Sequence, residues 1–227
     1  MHADRDRWTF ATGVAFAGLA VAGLVVMGKS PSASDSAGDV AQYFVSNRSD
    51  AMLGAVLSAL GLIFLLGFAA AVANHLRGAG EGLAAGTVLA AATALAAVQL
   101  VLSALFAALA YSVAKDAGAD VTKALFDFDV VLGVIAGMAA GLFILAAAKG
   151  LRRIGAIPAW LASAGTIIST LHFLRATTWA RDGFWSPTGG YVLLAVGAGL
   201  AWILLTSIVL ARGEPSRQRS AAAQATA

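Results

Sequence analysis

Charged, hydroxyl and amide side chains gather in short clusters along this chain, and between them run apolar stretches of about 20 residues. A bilayer selects that arrangement, because its hydrocarbon core is about 30 Å thick and a helix needs roughly 20 apolar residues to cross it. Six segments qualify, at residues 8–27, 52–72, 83–111, 128–148, 157–174 and 191–211. The third is long enough to tilt or to project from the bilayer. The fifth is the weakest, since its TIISTLHFLR carries hydroxyls, a histidine and an arginine. The pattern predicts an all-α polytopic bundle, with one six-helix transmembrane domain over residues 1–211 and a disordered basic tail over 212–227. The first stretch reads as a retained span. It is longer than a signal-peptide core, and the KSPSASDSAG after it offers no clean small-x-small cleavage site.

Composition agrees with the pattern. Hydrophobic residues make up 59% of the 227 and charged residues 12%, about half the charge of an ordinary soluble domain. The chain has no cysteine, so disulfides, thiol catalysis and thiolate metal sites are excluded. The net charge of +3 brings no basic stripe studded with aromatics, and no nucleic-acid partner is expected. The basic residues read instead as topology signals. With six spans, one side carries Arg5, Arg7, Arg77, Lys149, Arg152, Arg153, Arg212, Arg217 and Arg219, against six basic residues on longer segments of the other side. The first side holds four of the acids and the second holds eight. The basic excess places both termini in the cytoplasm.

Small residues predict how the helices meet. Lipid gives apolar faces little reason to associate, so close approach has to do the work. Gly133, Gly137 and Gly141 recur every four residues on the fourth span, Gly54 and Ser58 form a similar edge on the second, and Gly165 and Ser169 on the fifth. These faces suit packing within a subunit, or against a second copy or another membrane protein. The second, fourth and sixth spans end AVANHLRGAG, AAAKGLRRIG and IVLARG. Three related hairpins would give that pattern, and so would the ordinary way of stopping a helix at a basic surface.

The candidate chemistry is sparse. Asp127 and Asp129 stand at the outer mouth of the fourth span, with Lys123 one turn before Asp127. They read either as acids at a helix entrance or as a ligand site. The fifth span offers partners at that depth in His172 and Arg175, and Gln99 is the deepest strongly polar side chain, near the middle of the third. A buried amide needs a partner, with a helix-to-helix hydrogen bond as the default. Aromatic loops at 41–50 and 177–191 read as interface belts or as a cap over an outward cavity. No two histidines share a face and depth, and the usual zinc, phosphate-loop, nucleophile-elbow and dinucleotide motifs are missing from the sequence. No metal, cofactor or catalytic residue is therefore expected.

Three function classes follow. An integral structural or accessory protein, binding a partner or lipid through its outer loops, asks least of the few polar residues. A small-solute or ion transporter, or a subunit of one, would use Asp127, Asp129, His172, Arg175 and Gln99. A membrane-embedded enzyme comes last, because no nucleophile is recognisable.

The segment AQYFVSNRSDAMLGAVLSALGLIFLLGFAAAVANHLR, residues 41–77, resembles the front half of a family of multi-span integral membrane proteins of high-GC, actinobacterial-type bacteria. The resemblance covers this region and the six-span layout. It implies a multi-pass protein of the bacterial inner (plasma) membrane, and it implies no activity, since none is assigned to that family.

Overall fold

The computed structural model describes the backbone of residues 2–225 and the side chains of residues 10–212. His2, Arg5, Arg7 and the expected tail beyond Arg212 have their side chains outside that range. Among the described residues every element is helical. They are α1 (His2–Met27), α2 (Ala37–Ser46), α3 (Arg48–Gly78), α4 (Gly82–Ala108) with a π turn (Leu109–Val113) and a last short turn α5 (Ala114–Asp116), α6 (Ala119–Arg153), α7 (Ala159–Leu174) ending in a 3-10 turn (Arg175–Thr177), and α8 (Gly190–Ala225). Five runs are long and apolar enough to cross a bilayer: Phe10–Met27, Arg48–Gly78, Gly82–Asp116, Ala119–Arg153 and Gly190–Arg212. The protein is an all-α polytopic membrane helix bundle. The fifth predicted stretch is also helical, but α7 has only 16 residues.

Two features differ from the sequence expectation. The helices outrun their apolar stretches: α6 begins at Ala119, not Phe128, and the α4 run continues to Asp116. A run of 35 residues is about 52 Å long at 1.5 Å per residue, well beyond the hydrocarbon core. Hydropathy marks where lipid stops, whereas backbone hydrogen bonding lets a helix continue into water. The second feature is α2, ten residues in what reads as an outer loop. Ser36 caps it, accepting from the Asp39 amide at 3.2 Å and donating to the Asp39 carboxylate at 2.7 Å, so one orphan donor of the first turn is satisfied. Its buried stripe of Val40, Ala41 and Phe44 packs on the projecting ends of α3, α4 and α6, where Leu109, Phe126 and Ala51 complete a small second core.

The helices α1, α3, α4, α6, α7 and α8 form a ring. Each packs against the next in the chain (α1 on α3, α3 on α4, α4 on α6, α6 on α7, α7 on α8), and α1 packs on α8 to close it. Glycines set the closest crossings. A Cβ on Gly54 would stand 2.9 Å from the Gly23 carbonyl, and one on Gly137 or Gly141 would stand 3.0 Å from the carbonyl of His172 or Ser169. A Cβ on Gly165 would meet Trp202 and Ala148. Gly133 differs from its two neighbours in the pattern, with only Leu102 at 3.9 Å.

At the end of the ring opposite α2, α3 and α6 finish alike. Glu81 N–H reaches back to Leu76 C=O and Ala156 N–H to Leu151 C=O, both at 2.9 Å. Gly80 and Gly155 take positive φ, 86° and 64°, to make these bonds, as a Schellman stop requires. Arg153 and Glu81 then join the two ends at 3.2 Å. Aligning Leu76 with Leu151 superposes Phe68 on Phe143, Leu65 on Ala140 and Val72 on Ala147, all buried. The likeness of chain ends noted in the sequence thus extends through the lower halves of α3 and α6. It does not extend to α8, which runs on past its ARG.

Candidate functional site

The lower half of the ring is filled. Phe68 and Phe143 meet edge to face with centroids 6.4 Å apart, and Leu65, Ile144 and Trp202 pack around them. Above this floor the ring holds a cavity of about 320 Å³. Its walls are mostly apolar, from α1, α3, α4 and α8, including Phe16, Leu62, Leu95, Phe106 and Leu200. Four polar side chains break the walls: Ser58 from α3, Gln99 and Ser103 from α4, and Asp129 from α6. Gln99 and Ser103 are four apart and so share a helix face. Among the described residues none of these four side chains makes a hydrogen bond or ion pair, and the Oδ1 of Asp129 is buried without a partner.

The α2 layer touches the cavity wall at two points. Phe106 lines the cavity and also packs in the second core, with its ring 4.9 Å from that of Phe44. Tyr43 donates its hydroxyl to the carbonyl of Met27, another lining residue, at 2.9 Å. Burial holds the Tyr43 pKa above its ordinary value.

The five ligand-binding candidates from the sequence separate into three places. Asp129 and Gln99 meet in the cavity. Asp127, two residues along and so rotated by about 200°, pairs instead with Lys123, whose ammonium also reaches the Ala33 carbonyl at 3.1 Å. Neither aspartate is at the helix entrance, because α6 starts at Ala119 and the acid of its first turn is Asp120. His172 and Arg175 lie where α6, α7 and α8 pack, with His172 against Gly199 and Arg175 against Gly137. Arg175 donates to the Gly133 carbonyl at 2.9 Å and pairs with neither aspartate. The imidazole of His172 faces the Ala195 carbonyl without reaching hydrogen-bond geometry, and both its nitrogens are unpartnered.

Sequence reasoning missed Ser103 as a lining residue and read Ser58 only as a small packing residue. Ser58 does both, since a Cβ on Gly23 of α1 would stand 2.6 Å from its hydroxyl. The available signal was the Gln99–Ser103 spacing in the second half of α4, where the other residues are apolar. Among the described residues no group of three or more His, Cys, Asp or Glu side chains is placed to hold a metal ion. Comparisons with known protein families, with curated proteins and with solved structures find no match. The fold supports the multi-span, all-helical part of the resemblance to membrane proteins of high-GC bacteria, and the family itself is not shown.

Proposed function

We propose that this is a six-span protein of the bacterial plasma membrane that binds a small molecule in the cavity under α2, in the manner of a transporter or transporter subunit. Asp129 carries the reading. An ionisable side chain within a membrane bundle is costly unless it serves a pathway or a partner, and this one has no partner in the protein. It faces a void large enough for a ligand, together with three more unpaired polar groups. A bundle that served only as a scaffold would gain by filling that space with Leu or Val.

Counting α7 as the sixth span follows from its length with its terminal turn. Its 16 residues rise about 24 Å and the 3-10 turn adds about 6 Å, together near the hydrocarbon thickness. Trp160, Ile167 and Leu174, seven apart and so on one side of α7, are exposed apolar groups, as a lipid-facing helix requires. The basic excess at Arg77, Lys149, Arg152, Arg153 and Arg212 supports a cytoplasmic side opposite α2, with both chain ends on it. The structural or accessory reading has its own support in the close glycine crossings of α1 with α3 and of α6 with α7, and it leaves the polar cavity unexplained.

Native mass spectrometry of the full chain, released from its own membrane in mild detergent, tests the proposal. The expected result is a reproducible non-lipid adduct that disappears in Ser103→Trp, where the indole fills the cavity. A wild-type protein that is bare in repeated preparations would return the structural reading to first place.

A further inference from the structure

We propose that the ligand of this cavity is an organic monocation with an apolar body, a protonated or quaternary amine, and that Asp129 is its counter-ion. The inference rests on the small-molecule reading above and adds the chemical class. Charge comes first. The cavity is lined by one carboxylate and by no lysine, arginine or histidine. Arg175, the only buried arginine or lysine among the described residues, gives its guanidinium to the Gly133 carbonyl on another contact. A single uncompensated carboxylate calls for a single positive charge.

The walls decide what carries that charge. A hard inorganic cation takes six or more oxygen ligands, or keeps its waters. Here four oxygen-bearing side chains are set in walls otherwise made of Leu, Phe, Ala, Val and Met. Such walls reject a hydrated ion and accept hydrocarbon. Phe16 and Phe106 both line the space, and aromatic rings attract alkylammonium groups. Gln99, Ser58 and Ser103 can accept from ammonium hydrogens or hold one ordered water. Size sets the scale. About 320 Å³ is roughly twice the cavity of about 150 Å³ that holds benzene, so the fit is an amine of about 10–15 non-hydrogen atoms, one ring and a short arm.

The test is equilibrium binding of benzyltrimethylammonium to the full chain in lipid nanodiscs. That probe has a ring, a short arm and a charge that does not depend on pH. Saturable one-site binding is expected, weakened about tenfold or more in Asp129→Asn, since a charge-assisted contact is lost. Asp182→Asn, on the exposed loop, should bind as the wild type does. The neutral isostere neopentylbenzene should compete at least about tenfold more weakly than unlabelled benzyltrimethylammonium. If Asp129→Asn does not fold, Asp129→Glu should keep binding, while Asp129→Leu, an apolar replacement, should weaken it about tenfold or more. Equal affinity in wild type and Asp129→Asn overturns the proposal, and so does displacement of the probe by millimolar sodium. A wild type that carries an adduct lost in Ser103→Trp, yet never binds the ammonium probe, removes the cation assignment and leaves the cavity reading standing. Neither adduct nor probe binding removes both.

Discussion

The contact between α7 and α8 is tight enough for one methyl group to test it. At Gly165 an added Cβ would stand 2.7 Å from Nε1 of Trp202 and 2.8 Å from Cβ of Ala148, where comfortable carbon contacts are about 3.5–4.0 Å. Neither neighbour moves freely. Ala148 Cβ is fixed to the α6 backbone, and Trp202, 2% exposed, is held by its 2.9 Å hydrogen bond to Leu161 C=O. Over-packing of this kind costs about 1–3 kcal/mol, and loss of the indole bond adds about 1 kcal/mol. Alanine returns about 1 kcal/mol of helix propensity. Gly165→Ala is therefore expected to destabilise by about 1–3 kcal/mol. Gly197→Ala is the control, the same change on α8 with nothing within 4 Å of the new methyl, and it should be neutral or gain up to about 1 kcal/mol. At about 2–4 °C per kcal/mol for a chain of this size, the two variants should differ by roughly 2–16 °C in Tm. Tryptophan fluorescence during thermal unfolding in a mild detergent reads that difference. If Gly165→Ala unfolds at or above the temperature of Gly197→Ala, the α7–α8 packing described here is wrong.

Two further outcomes follow from other parts of the fold. Phe44 is fully buried under the rings of Phe106 and Phe126, so Phe44→Ala should weaken α2 docking by about 3–5 kcal/mol; hydrogen exchange should quicken over residues 37–46 and stay slow around Phe68. At the opposite end, Gly80 has φ of 86° with open space around it, so Gly80→Ala carries backbone strain of about 1–2 kcal/mol. Arg153→Ala removes only a mostly exposed ion pair with Glu81 and should cost under about 1 kcal/mol. Thermal unfolding should rank Gly80→Ala as the more damaging, and the reverse order would place the strength of that end in the ion pair.

Lipid made most of the bundle legible. The cost of polar groups in hydrocarbon is paid residue by residue, so the long apolar stretches declare themselves without any knowledge of neighbours. The stops after Leu76 and Leu151 were partly readable for a similar reason, because a glycine at C′ satisfies local carbonyls. Where the chain leaves the lipid, that logic no longer applies. Nothing in AGDVAQYFVS distinguishes a ten-residue helix from an interfacial loop, since its stripe of Val40, Ala41 and Phe44 is a turn and a half long and gains its stability from α4 and α6. The extra turns of α6 before Phe128 were hidden likewise, because Lys123 and Asp127 look like the end of a span to hydropathy and are a helix-stabilising i, i+4 pair to the backbone.

The site was half legible, and the missing half is azimuth. Spacing alone says that Asp127 and Asp129 cannot both face inward, but choosing between them requires knowing which helix sits on which side of α6. With α4 on one side and α7 on the other, Asp129 turns to Gln99 and away from His172. The cavity has an equally local cause. In the shared register of α3 and α6, Phe68 and Phe143 fall at one level and plug the ring. Counting back along that register from the plug, α3 offers Ser58 and Gly54 where α6 offers Gly133 and Asp129. At that level α3 lines the cavity through Ala55 and Ser58, and α6 through Asp129. The floor and the void therefore come from one pattern, bulky side chains below and small or polar ones above. Asp129 stands on the wall of that void, with its Oδ1 buried and unpartnered by protein.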